Sequence, residues 1–147
     1  MKLKTLIILL CIIILTGCIE RTGYYTDGEE KIISLICDIT WATSKYECEN
    51  DESGQTTYKF NTNGTYKRTD YITDISGEIK TAEYNGYWSF NDPSFSTIYF
   101  GGNLYWDIKE LTENIFAFYD RTGEIGEPTM VREYRELTPF EQAKSPN

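Results

Sequence analysis

The hydrophobic pattern of this chain changes character three times. An unbroken apolar run fills Leu6 to Leu15 behind Lys2 and Lys4. Between Glu29 and Cys37, Ile32, Ile33, Leu35 and Ile36 fall at helical offsets behind an acidic first turn, Glu29 and Glu30. That spacing predicts a short helix, with a strand as the competing reading because these residues are β-branched or Leu. From Thr40 onward, runs rich in Thr, Tyr, Phe, Trp and Ile are separated by turn clusters at 50–54, 61–64, 74–77, 91–94, 101–103, 112–114 and 122–128. Seven turns join eight strands, and such short connections make successive strands antiparallel neighbours. The expected fold is all-β: an eight-stranded antiparallel up-and-down barrel with short flanking helices, closed so that no edge is left free. A β-sandwich is the alternative, and it requires Greek-key crossings that the short turns discourage.

Alternation assigns faces, since side chains two apart share one side of a sheet. Tyr58 and Phe60 form one pair; Tyr84, Trp88 and Phe90, with Gly86 between them, lie opposite Thr81, Glu83 and Ser89. Leu104, Trp106 and Ile108 lie opposite Asp107 and Lys109, and Phe116 and Phe118 extend the apolar face. Strict alternation from Tyr66 carries Arg68 and Asp70 inward, where buried charges need partners or a polar ligand head group. A position at the barrel mouth, or a bulge that flips the register, are the other readings. Near the C-terminus, Thr138-Pro139-Phe140-Glu141 has capping-box chemistry, with proline at the first helical position, and predicts a short terminal helix in the tail 139–147.

The apolar run is too short to span a bilayer, which takes about 20 residues, and reads as a signal peptide over residues 1–17. It ends in Leu15-Thr16-Gly17-Cys18, which resembles a bacterial lipobox, where the Cys18 thiol accepts a diacylglyceryl group after cleavage in front of it. A plain secretory signal or an uncleaved anchor is the alternative. Two or three acyl chains hold a protein stably on a membrane, whereas one does so only marginally. Ile19 follows the cysteine rather than an aspartate that signals inner-membrane retention, so the expected address is the cell envelope, at the outer membrane. Residues 18–28 then form a lipidated tether, able to reach about 35 Å when extended. The barrel domain is expected over residues 29–138.

Charge narrows the partners. The 14 basic residues less Lys2 and Lys4 leave 12 against 23 acidic ones, a formal charge of −11 after cleavage. Such a chain is repelled by phosphate, so nucleic acid is not expected as a partner, and the membrane is met through the lipid on Cys18 alone. The absence of histidine excludes histidine-based catalysis and ligation. No metal, cofactor or enzymatic activity is expected: pairs such as Glu47 with Glu49 read as solvated acidic surface, and Asn50-Asp51-Glu52 lacks the spacing of a calcium loop. With Cys11 lost and Cys18 lipidated, Cys37 and Cys48 remain, and in an oxidising compartment they are expected to form one disulfide. A redox pair is the alternative, although there is no Cys-x-x-Cys spacing.

Four segments in order carry a resemblance: Trp41; Tyr58-Lys59-Phe60-Asn61-Thr62-Asn63-Gly64-Thr65-Tyr66; Gly86-Tyr87-Trp88-Ser89-Phe90; and Trp106-Asp107-Ile108-Lys109-Glu110-Leu111-Thr112. Over residues 38–137 they resemble the bacterial lipocalin-like domain of small lipoproteins, of the type found in Bacteroidetes. The chain departs from it in having Ile39 and Thr40 before Trp41, where a glycine two residues earlier is commoner. The resemblance implies a calycin-type barrel on a lipid tether and carries no catalytic motif. An eight-stranded barrel is just wide enough to be filled by side chains or to hold one small molecule. Tyr58, Phe60, Tyr66, Arg68, Tyr84, Trp88, Trp106 and Phe118 are the candidate ligand-binding residues, with core packing as the other reading of the aromatics. Two functions stand: a protein that binds a small apolar or amphipathic molecule in its barrel, and an envelope interaction module with a filled core. No protein partner is specified by the sequence.

Overall fold

The computed structural model describes residues 27–141. The leader, Cys18 and the tether up to residue 26 lie outside the described residues. The helix expected from the Ile32/Ile33/Ile36 spacing is present as α1 (Asp27–Asp38), two residues longer at its start than the acidic turn suggests. It lays Ile32, Ile33 and the fully buried Ile36 against the core. Among the described residues no helix is long and apolar enough to cross a membrane.

The rest is all-β. Ten strands follow: β1 (Thr40–Ala42), β2 (Tyr46–Glu47), β3 (Ser53–Phe60), β4 (Thr65–Thr73), β5 (Ile79–Tyr87), β6 (Ser89–Phe90), β7 (Thr97–Gly101), β8 (Leu104–Leu111), β9 (Phe116–Thr122) and β10 (Val131–Pro139). They form one antiparallel sheet in the order β5-β4-β3-β1-β10-β9-β8-β7-β6, with β2 pairing to β3. Each expected turn cluster separates two strands, although Ser53 and Gly54 of the first belong to β3, Gly101 of the fifth to β7 and Thr122 of the last to β9. The hairpin after β3 uses Gly64 at φ 82°, a left-handed conformation that costs glycine nothing.

The expectation of a closed eight-stranded barrel needs correction. The sheet has ten strands and is not closed, and it is a single sheet rather than the two of a sandwich. The departure is at Trp88. The long fourth strand expected across this region breaks there into β5 and β6, which occupy the two ends of the pairing order although one residue separates them. Trp88 donates its backbone N–H to Gly64 O at 2.9 Å and its indole N–H to Asn61 O at 3.0 Å. Its ring packs edge-on against Phe60 and Phe90. These interactions outweigh continuation of the strand: β6 pairs with β7 over Ser89 and Phe90 only, and β5 pairs with β4 alone.

The core lies on one face of the sheet, at the end where α1 packs. Trp41, Phe60, Ile98 and Phe116 are wholly buried, with Trp88, Trp106, Phe118 and Leu137 nearly so. Aromatic pairs at edge-to-face and stacked geometry knit β1, β3, β8 and β9 together, each contributing about 0.5–1.5 kcal/mol beyond burial. The Trp41 indole N–H is satisfied by Leu35 O of α1 at 3.2 Å, which ties the helix to β1. The register of β1 is set by Trp41 opposite Tyr58 on one side and opposite Pro139 on the other.

Two further expectations fail. Thr138 and Pro139 do not start a helix: they pair with Ala42 and Trp41 as the end of β10, and Phe140 N–H donates to Thr40 O at 2.7 Å. Sheet pairing with β1 takes the backbone that a capping box would need; residues 142–147 lie outside the described residues. Cys37 and Cys48 are free thiols, not a disulfide. The Cys37 carbonyl accepts from Lys59 Nζ at 2.5 Å, whereas Cys48 follows Glu47, the partner of Ser53. Lys59 and Ser53 are separated by about 20 Å of extended strand, and a disulfide tolerates a Cα spacing of only about 4.4–6.8 Å.

Candidate functional site

A cavity of about 560 Å³ opens beyond the packed end of the core. Its apolar wall is made by Tyr58, Trp106, Phe118 and Leu137, and its polar side by Thr56, Asp120 and Arg135, with Lys45 and Tyr46 at the rim. Strand alternation assembles it. Thr56, Tyr58 and Phe60 share the inner face of β3, while Phe116, Phe118 and Asp120 share that of β9. In both strands the large apolar residue nearest α1 is core, and the sequence becomes polar toward the far end.

Trp106 joins core to cavity. It stacks on Phe118 with ring centroids 4.0 Å apart and meets Tyr58 edge-on at 5.0 Å, while its other contacts reach Phe60 and Phe116. Of the eight candidate residues, the cavity collects Tyr58, Trp106 and Phe118. Phe60, Tyr66 and Trp88 serve as core beneath it: Phe60 touches both Tyr66 and Trp88. Tyr66 also lies across Gly86, where a Cβ would come within 2.6 Å of its ring, so the glycine is required by the ring's position.

Arg68 and Tyr84 lie on the same sheet face but do not line the cavity. The inward register expected for Arg68 and Asp70 is present, since Arg68 pairs with Tyr58 and Asp70 with Thr56. The two charges satisfy each other: Arg68 Nε and Nη2 donate to Asp70 Oδ1 and Oδ2 at 2.9 and 2.8 Å. Thr56 Oγ1 adds a third donor to Asp70 at 2.7 Å, and Arg68 lies 5.4 Å from the centre of the Tyr84 ring. Hydrogen bonding to Asp70 therefore raises the Arg68 pKa further.

Asp120 is the polar residue that the candidate set lacks. Burial pushes its carboxyl pKa up, with the nearby charge of Arg135 lowering it and that of Glu133 raising it. Glu133 stands directly across from it in the β9–β10 pair, and Arg135 gives its guanidinium to Glu133 at 2.8 Å. The Asp120 carboxylate accepts no hydrogen bond among the described residues, although its backbone is paired in the sheet on both sides. The signal was in the sequence: Asp120 follows Phe116 and Phe118 at the two-residue spacing that marks the inner face. Tyr58 is shifted up as well, first by burial, with Arg68 lowering it and Asp120 raising it.

A second charged cluster sits on the outer face. Arg121, buried, is held by Asp107 and by Gly123 O, with its guanidinium 4.1 Å from the centre of the Tyr105 ring. Each of the three guanidinium nitrogens of Arg121 donates to the sheet or to Gly123 at the start of the 123–130 loop, so this cluster holds the β9–β10 connection onto the sheet. Comparison with family models, curated proteins and solved structures finds no match for this chain.

Proposed function

We propose that this is a membrane-anchored, lipocalin-like lipoprotein of the bacterial envelope that binds one small apolar or amphipathic molecule. The observation that carries the reading is the 560 Å³ cavity walled by Tyr58, Trp106 and Phe118. Ligand sites are concave, largely apolar, and furnished with a few convergent polar groups, typically at about 300–1,000 Å³. The strand order supports a calycin-like wrap: apart from β1 with β2 and β5 with β6, strands consecutive in the chain pair in the sheet, β1 joins β10, and the two ends of the order, β5 and β6, are separated in the chain by Trp88 alone. In this reading the inner face of the sheet is filled at the α1 end and open at the other, and the lipid on Cys18 holds the domain at the outer membrane.

The test is small-molecule mass spectrometry on the full chain isolated from its native membrane. A stoichiometric apolar or amphipathic compound, lost in Trp106→Ala and Tyr58→Ala, is the expected result. A chain that carries no compound and is displaced by no apolar probe would overturn the reading. It would favour the envelope interaction module instead, for which the exposed Ile79, Tyr84 and Tyr87 of β5 speak.

A further inference from the structure

From the pairing of charges around the cavity we infer that its ligand carries a cationic amine, bound by Asp120 against the Tyr58, Trp106 and Phe118 rings. This rests on the cavity-binding reading and adds the chemistry of the head group.

The other charges on this face already have partners or stand in the open. Arg68 is taken by Asp70 through two hydrogen bonds, and Arg135 by Glu133. Lys45, exposed on the segment between β1 and β2, lines the cavity, and Glu136, which also lines it, is exposed and accepts from the Tyr134 hydroxyl at 3.0 Å. Asp120 alone combines partial burial with a position on the cavity wall and no donor among the described residues. A half-buried carboxylate left without donors is destabilising, and a charged N–H donor from a ligand is the group that best removes that cost. Aromatic rings attract a cation through the negative potential of their faces, most strongly when water is excluded; Trp106 and Phe118 stack on each other and are nearly buried, so Tyr58, only partly buried, is the ring that offers surface to the cavity. An anionic head group beside these rings would meet the Asp120 carboxylate, and a neutral one would gain nothing from its charge.

The test compares three probes with one apolar body: naphthylmethylamine, naphthalenemethanol and naphthoate. Each is titrated by calorimetry into the full chain in phosphatidylcholine vesicles, with protein-free vesicles as the blank. The amine is expected to bind about tenfold more tightly than the alcohol, the ratio that follows from a charge-assisted hydrogen bond of about 1.5 kcal/mol. The acid is expected to bind most weakly. In Asp120→Asn the amine and alcohol affinities should converge. A second readout needs no variant: the preference should fade as pH falls and Asp120 takes up a proton. The groups facing it are Arg135 and Glu133 on β10 and Tyr58 on β3, with Arg68 and Asp70 beyond.

Equal binding of all three probes, or a preference for the acid, overturns the cationic head group while leaving the cavity as a binding site. Binding of none overturns both readings together.

Discussion

Arg121 and Asp107 meet on the outer face of β8 and β9, where Nε donates to Oδ2 at 2.8 Å and Nη2 to Oδ1 at 3.0 Å. The side chains are 3% and 14% exposed, so this is a buried, two-bond ion pair on the face of the sheet away from the hydrophobic core. Thr97 Oγ1 donates to the same carboxylate at 3.1 Å, and Arg132 approaches it at 3.7 Å. Burial works against the Asp107 carboxylate, but the hydrogen bonds and charge of Arg121 more than offset it and hold its pKa below the ordinary value.

Removing one partner leaves the other buried and uncompensated. Asp107→Ala is expected to cost about 3–5 kcal/mol in urea denaturation, and Arg121→Met with Asp107→Leu together much less than the sum of the single changes. The pair also sets a pH limb. Because the folded carboxyl is depressed, its contribution is complete above the unfolded value near about 3.9 and is lost as pH falls through the folded value. Asp107→Asn should flatten that acid limb, and an unchanged limb would exclude the pair as its source.

Asp120 predicts the opposite sign. Its folded pKa is raised, so the folded state holds the proton more tightly than the unfolded one, and stability falls as pH rises through that interval. At neutral pH Asp120→Asn should therefore stabilise the empty protein, while at a pH below the unfolded value the variant and the parent should melt alike. A destabilised variant at neutral pH would mean that the carboxylate has a donor in the folded protein. Stability given up at a cavity wall is what a binding group costs when its ligand is absent.

The free thiols give a third expectation. Burial first, and the charge of Asp38 second, push the Cys37 pKa up to about 11, so it should resist alkylation at neutral pH until the chain unfolds. Cys48, half-buried in the β2–β3 connection, should label first. Reductant should leave the melting temperature unchanged. Recovery of a Cys37–Cys48 linked peptide by mass spectrometry from native protein would refute the arrangement.

Phe60 tests the core against the cavity. It is wholly buried and touches Tyr66, Trp88, Phe100 and Trp106. Phe60→Ala should cost about 3–5 kcal/mol, as a large core deletion does, whereas Tyr58→Phe, which removes a hydroxyl at the cavity wall, should change stability by less than about 1 kcal/mol. Comparable losses from the two substitutions would place Tyr58 in the core as well.

The sequence alone determined what depends on a residue and its near neighbours. Asn61 to Gly64, Asp74 to Gly77 and the other polar clusters place the turns because glycine, asparagine and aspartate favour turn backbone locally. Two-residue alternation put Tyr58 with Phe60, Phe116 with Phe118, and Arg68 with Asp70 on the inner face, and the 32/33/36 spacing marked α1. Alternation could equally have marked Asp120, which shares a face with Phe118.

Only the tertiary structure decided what depends on which strands come round to meet. Trp88 breaks its strand because Gly64 and Asn61, more than twenty residues away in the chain, offer the hydrogen bonds that hold it. The same long-range placement separates Cys37 from Cys48 along β3 and draws Thr138 and Pro139 into pairing with β1. It also gives Arg121 a carboxylate on the outer face that alternation would have left to solvent. A residue's face is written in its own strand, but whether that face is packed, paired or open to a cavity is fixed by the strands opposite. That is why Phe60, Trp106 and Arg68, alike in their inward register, end as core, cavity wall and ion pair.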